Sequence, residues 1–190
     1  MPQLARPVDQ RIAGALCLDF CNTVAWRGSA RETDILANSA GYTAWCHGAD
    51  LPLPGDGDTE WQRALGLRAA IFRTFLACVQ GRSPAEADLA PVWSAYVSAL
   101  ERGKLVPAAA GAHIVWPGDD PLVPVTRSAV ELICGPPRRL KLCDAPQCGW
   151  LFLDTTKNGR RRFCDMRYCG NRTRAREHYA RRKAAAEPKA

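Results

Sequence analysis

Residues 143–169 read Cys143-Asp-Ala-Pro-Gln-Cys148-Gly-Trp-Leu-Phe-Leu-Asp-Thr-Thr-Lys-Asn-Gly-Arg-Arg-Arg-Phe-Cys164-Asp-Met-Arg-Tyr-Cys169. Two Cys-x4-Cys pairs of this kind can close a tetrahedron of thiolates around zinc, an ion that favours N and S ligands and carries no redox chemistry of its own. Pro146 and Gly149 make the first pair a tight knuckle whose backbone N–H groups can point at sulfur. Trp150–Leu153 follows as a strand, Asp154–Gly159 as a turn and Arg160–Phe163 as the return strand. Cys164 and Cys169 then open a helix reaching about residue 185. Knuckle, hairpin and helix in this order predict a treble-clef-like zinc finger with one structural Zn2+ on Cys143, Cys148, Cys164 and Cys169. The plain alternative is a set of four ordinary core thiols.

Charge gathers on the same lobe. Residues 1–137 hold 11 Lys/Arg against 14 Asp/Glu, a net −3, whereas residues 138–190 hold 15 against 5, a net +10. An acidic-to-neutral body carrying a cationic lobe is the footprint of phosphate binding. At 100° per residue, Tyr168, Arg172, Ala175 and Tyr179 share one side of the last helix and are expected to cover Leu151 or Phe152. Arg174 and Arg181 then face a groove, and Arg160, Arg161, Arg162, Arg167 and Arg182 face backbone phosphates. A solvated, charge-rich helix is the competing reading. Arg172 is equally suited to an ion pair with Asp154, and Asn171 to capping the helix.

The first 135 residues read as mainly helical. Apolar spacing predicts helices over 12–26, 35–47 and 60–80, the last from Trp61, Leu65, Arg68, Phe72, Phe75 and Leu76. Ser83 as N-cap and Pro84 at the first helical position start another helix reaching about Arg102. Leu105–Val106 and Ala112–Trp116 form a small hairpin, and Pro121 begins a helix ending at Cys134. Gly135-Pro136-Pro137 stops it, because proline cannot continue the ladder. The fold class is therefore mainly α (α+β), with a helical domain over 1–135, the finger over 138–186 and a tail at 187–190.

Nine cysteines is an odd number, and Cys17, Cys21, Cys46, Cys78 and Cys134 sit singly in apolar surroundings, as small buried hydrophobes do. No export signal and no run of eighteen apolar residues is present, which points to a cytoplasmic protein without membrane attachment. His47, His113 and His178 do not join the metal spacing. No His-Glu metal motif, phosphate loop or paired nucleophile is visible, and four Cys ligands leave zinc no open position for water, so the chain is not expected to be an enzyme. Asp19 and Asn22, one turn apart on an apolar helix, either line a ligand pocket or bond neighbouring backbone within the core.

The segment from Arg139 through Cys143, Cys148-Gly-Trp-Leu-Phe-Leu-Asp154, Cys164-Asp-Met166 and Cys169-Gly-Asn-Arg172 resembles the CGNR zinc-finger family. Leu16-Cys-Leu-Asp19-Phe-Cys-Asn22-Thr is similar to the N-terminal motif of the helical ABATE domain that accompanies this finger in bacterial proteins described as stress-induced transcription regulators. The resemblance implies a zinc-dependent DNA-binding finger joined to a domain that senses a small-molecule effector or a partner. It departs from the family at Phe163, often Trp, and at Asp165, often Ser. An RNA-binding or protein-interaction module on the same zinc lobe is the alternative. One small finger offers few base contacts, so a homodimer reading two half-sites would ease specificity.

Overall fold

The computed structural model describes residues 11–55, 57–135 and 139–186. The expected boundary prolines, Pro136 and Pro137, and the tail at 187–190 lie outside the described residues. About half of the described residues are helical and the described strands occur only as two-stranded pairs, which makes the fold mainly α.

The expected helix over 12–26 is cut to one short piece, α1 (Leu16–Cys21), followed by β1 (Val24–Ala25) and β2 (Thr33–Asp34), an antiparallel pair. Side chains break it at both ends. Asp19 Oδ1 accepts the amides of Ile12 and Ala13 (3.1 and 3.0 Å), drawing the preceding chain back across the helix start. At the other end the Thr23 hydroxyl donates to the Phe20 carbonyl (2.7 Å), while Trp26 turns into the left-handed region at φ 59°. Such local bonds compete with helix continuation.

Helix α2 (Ser39–Gly48) starts four residues later than its apolar pattern predicts, because Asn38 takes the cap and accepts the Gly41 amide at 2.8 Å. Helix α3 (Asp58–Val79) matches expectation and forms the central element. It brings in the buried Arg68, whose guanidinium binds both Asp34 oxygens (2.7 and 2.6 Å) and the Thr23 hydroxyl (2.8 Å). Burial opposes the Asp34 charge, but Arg68 holds that carboxyl below its ordinary range. The β1–β2 arm is thereby locked onto α3.

Helix α4 (Glu86–Arg102) begins two residues beyond the expected start, at the Ala85 cap rather than Ser83. The hairpin of β3 (Lys104–Ala108) and β4 (Gly111–Val115) follows, longer than predicted, and then α5 (Leu122–Cys134). Asp120 ties three helices together by accepting from Arg63 of α3 (2.9 Å), Arg102 of α4 (3.0 Å) and the Leu122 amide of α5 (2.9 Å).

The core is continuous across the two predicted domains. Phe20, Trp45, Ile71, Phe75 and Val125 share one buried cluster with Leu151 and Leu153 of the cysteine-rich lobe. At about 25 cal/mol per Å2 of apolar area, such burial is the main favourable contribution to the fold. Cys17, Cys21 and Cys46 are buried as expected, and burial pushes the Cys17 and Cys46 thiols up to about 12. Cys78 and Cys134 are exposed instead, since each falls on the outer side of the last turn of its helix.

Candidate metal centre and nucleic-acid interface

Strands β5 (Leu140–Leu142) and β6 (Leu151–Leu153) pair antiparallel and the knuckle is the turn that joins them. Cys143 donates its amide to the Trp150 carbonyl (2.8 Å) and Cys148 to the Ala145 carbonyl (3.0 Å). Gly149 closes the knuckle at φ 69°, and a Cβ there would stand 3.0 Å from Arg27 Cβ, so glycine is required both by its backbone and by the neighbouring body.

The predicted return strand over Arg160–Phe163 does not form. Asp154 accepts the Arg161 amide (2.9 Å), and Lys141 Nζ reaches Asp154 (2.7 Å) and the Gly159 and Arg161 carbonyls (2.6 and 3.0 Å). A buried carboxylate and an ammonium thus satisfy the backbone groups that a ladder would have paired. Burial opposes the Asp154 charge, yet the Lys141 ammonium, the Thr156 hydroxyl and the Thr156 and Arg161 amides hold its carboxyl well below the usual range. The helix also starts differently. A π turn over Met166–Gly170 precedes α6 (Asn171–Ala186), and its cap is Asp165, which accepts the Arg167 amide at 2.6 Å. Capping by Asn171 is replaced by this family departure.

All four sulfurs of Cys143, Cys148, Cys164 and Cys169 lie within 4.8 Å of one another and all four residues are buried. Cys148–Cys164 is 3.7 Å, Cys164–Cys169 3.6 Å and Cys169–Cys148 3.6 Å. A tetrahedron with metal–sulfur bonds of about 2.3 Å has edges of about 3.8 Å, so the sulfur set has the size of a zinc site and is far too open for disulfides. Hydrogen bonds from Cys148 and Cys164 lower the Cys143 thiol to about 7, while the same contacts with Cys143 drive Cys148 and Cys164 upward. Four clustered sulfurs cannot all ionise without a dication among them. Outside the ligands, the Cys164 amide donates to Cys143 Sγ (3.3 Å) and Arg172 Nη2 to Cys169 Sγ (3.7 Å), contacts that orient a thiolate and offset its charge.

The chain matches the family ABATE, "Putative stress-induced transcription regulator", over residues 14–136 and the CGNR zinc finger over residues 139–182. It belongs to the ABATE family. In this ABATE protein the finger follows the helical domain directly, and the four-Cys site accommodates one structural zinc. A comparison with curated proteins finds no match.

The ABATE motif residues are turned toward the finger. Asn22 is 4% exposed; its Nδ2 donates to the Leu151 carbonyl (2.8 Å) and its Oδ1 accepts the Leu151 amide (3.0 Å). Leu153 donates its amide to Ala13 O (2.8 Å), and the Trp150 indole to Val24 O (2.9 Å). Body residues therefore complete the outer edge of β6 as a third strand would. Of the two roles open to Asp19 and Asn22, both side chains are engaged with backbone. A cleft of about 220 Å3 is lined instead by Gly14, Ala15, Ser128, Glu131, Leu132 and Leu153.

The arginines divide. Arg161 Nε donates to Phe163 O (2.9 Å), its Nη2 reaches the Cys164 and Ile12 carbonyls, and its guanidinium lies over the Phe152 ring (4.6 Å). These contacts hold Arg161 at the lobe junction, whereas Arg160 and Arg162 on either side of it are exposed. Arg172 lies 3.9 Å over the Trp26 ring of the body, and the Asp154 proposed as its partner is held by Lys141 and Thr156. Arg162 pairs with Asp144 (2.7 Å) and Arg167 with Asp165 (3.3 Å), both largely exposed. Arg160, Arg174, Arg181 and Arg182 are exposed.

From Arg174 to Lys183 every side chain of α6 is exposed, including Ala175 and Tyr179, the latter at 75%. The predicted packing of these two on Leu151 or Phe152 is thus absent: Arg161 covers Phe152, and Leu151 is already taken up by the body core. Arg176, missed by the two-face reading, is presented with the rest. The lack of any apolar stripe along Arg174–Lys183 was the available signal.

Proposed function

We propose that this ABATE protein is a transcription regulator that binds DNA through α6 and the adjoining loop, with the zinc-centred fold serving to aim them. The observation that carries this is the exposed run Arg174–Lys183, which presents Arg174, Arg176, Arg181, Arg182 and Lys183 to solvent on one helix. An α-helix of this width fits the major groove, where arginine reads guanine edges and neighbouring cations neutralise phosphates. Arg160, Arg162 and Arg167 extend the same cationic edge. The four-Cys site leaves no open metal position, so the proposed role is binding and not catalysis.

The helical body is the proposed receiver of a signal. The cleft between Gly14–Ala15, α5 and β6 is its candidate entry, since a ligand there would touch Leu153, two residues from the Leu151 held by Asn22. None of the described helices is long and apolar enough to cross a membrane, and action in the cytoplasm belongs to the same proposal.

The test is fluorescence anisotropy with duplex DNA, structured RNA and single strands across a salt series, on zinc-loaded protein. Duplex preference is expected, and the Arg160→Ala/Arg182→Ala pair, at the phosphate-facing positions, should lower the slope of log K against log salt by about 2, at roughly 0.9 for each phosphate no longer neutralised. Equal affinity and equal slope for all three nucleic acids would refute the proposal and favour a docking module.

A further inference from the structure

Away from the finger, α4 and the β3–β4 hairpin expose a continuous apolar surface. Trp93, Tyr96 and Leu100 fall at i, i+3 and i+7 on one stripe of α4, and Trp93–Tyr96 and Tyr96–Trp116 ring centroids are each 6.1 Å apart. The stripe runs into the hairpin. Ile114 Cγ2 and the Leu100 carbonyl both lie 3.3 Å from where a Cβ on Gly103 would sit, and Ile114 stands opposite Leu105 in the strand register. Trp93 is 60% exposed, Leu105 73%, Val115 47%, Ile114 39% and Leu100 38%.

We infer that this surface is the interface with a second copy of the chain, formed by antiparallel pairing of β4 with its own copy across a two-fold axis.

Four observations select that occupant. The hairpin is a lone two-stranded sheet with every residue of β4 exposed, a form that is marginal in water until more strands or a packing face are added. Its two edges are unequal: β3 carries Pro107, which removes a backbone donor, and begins with Lys104, both devices that discourage further pairing, whereas β4 (Gly111-Ala-His-Ile-Val115) carries neither. An open edge on one strand only is what an isologous pair uses.

The area also fits. At about 150–200 Å2 per whole side chain, the exposed parts of Trp93, Leu100, Leu105 and Ile114 amount to roughly 370 Å2, to which the half-buried Tyr96 adds, while Val115, opposite Lys104, lies on the other face of the hairpin. A standard interface of about 800 Å2 per partner, about 56–65% apolar, needs roughly that much. The rim carries both signs, with Arg102 beside Asp119 and Arg127 beside Glu131, and so can complement itself under a two-fold rotation.

The test is sedimentation of the zinc-loaded full chain over a concentration series, alongside Ile114→Asp and Trp93→Ser variants checked by circular dichroism. A concentration-dependent dimer is expected, weakened about tenfold or more by each substitution, the range of a buried apolar anchor. Amide hydrogen exchange on the unmodified protein gives a readout free of variant folding: Ala112–Val115 should slow as concentration rises while Leu105 and Val106 do not. A monomer at all concentrations, a dimer indifferent to both substitutions, or exchange in β4 independent of concentration overturns the inference. DNA binding by α6 can survive any of these results, so the two readings fail separately.

Discussion

Asn22 holds Leu151 by both halves of its carboxamide, accepting the amide at 3.0 Å and donating to the carbonyl at 2.8 Å across 129 residues of sequence. The side chain imitates one residue of a β-strand and closes the edge of β6 inside the core. Asn22→Leu leaves two backbone groups of Leu151 buried without partners, and each such group costs about 1–3 kcal/mol. A drop of about 2–4 kcal/mol in urea stability is expected, together with weaker zinc retention against a chromophoric chelator. An unchanged urea midpoint would remove the clamp from the account.

Chelation should change thiol reactivity by a definite count. In the zinc-loaded fold only Cys78 and Cys134 are exposed, so two thiols are expected to react quickly with an aromatic disulfide reagent. Removing the ion frees Cys143, Cys148, Cys164 and Cys169, raising the fast count to six. Because Trp150 donates to Val24 O, the near-ultraviolet tryptophan signal should shift in step. Six fast thiols before chelation would contradict a bound ion.

Asp19 supplies a pH dependence. Desolvation raises its carboxyl to about 6 despite the amides of Ala13 and Ile12 that favour the charged form. The folded state therefore holds this proton to higher pH than the unfolded state does, and the contribution of Asp19 to stability falls as pH rises from about 4 to about 6 before levelling. Between pH 5 and pH 7 the loss is about 1 kcal/mol, at about 1.4 kcal/mol per pKa unit. Asp19→Asn keeps an acceptor for the two amides and lacks the titration, so the difference between the two proteins should shrink toward pH 5. Parallel urea midpoints at both values would argue against a raised carboxyl.

Two classes of arginine should separate by experiment. Arg161→Gln withdraws a guanidinium from the Phe163 and Cys164 carbonyls and from the Phe152 ring, and is expected to cost about 2–3 kcal/mol of stability, as charged hydrogen bonds do. Arg174→Ala and Arg181→Ala alter exposed positions, where stability changes stay within about 0.5 kcal/mol, while duplex affinity falls. Thermal melting and anisotropy on the same samples distinguish them; a stable Arg161→Gln with lost binding would reverse the assignment.

The metal ligands were legible because their chemistry is written in spacing, and α3 and α5 because a long apolar stripe has one period. What spacing does not encode is competition from side chains. Asp19 and Thr23 shorten α1, and Asp154 with Lys141 replaces the strand expected at Arg160–Phe163, each by taking backbone groups that regular structure would have used. The three consecutive arginines looked alike in sequence, yet only the middle one points inward, a distinction set by the body packing behind it. Arg68, read as one beat of an apolar helix, is instead the buried anchor of the β1–β2 arm.

Helix α6 leaves its π turn with ten successive side chains, Arg174–Lys183, exposed to solvent. A polar stretch of that length gains little from helix propensity once the cost of nucleation is set against it, so its distal turns in the free protein will open and reform rapidly. On the proposed DNA-binding role, the phosphates supply the counter-charge that holds them wound. Association should therefore be accompanied by a rise in helical circular dichroism, and part of the binding energy will be consumed in ordering the very residues that make contact. Alanine-rich or lactam-stapled versions of Arg174–Lys183, ordered in advance, should bind more tightly without touching a single new phosphate.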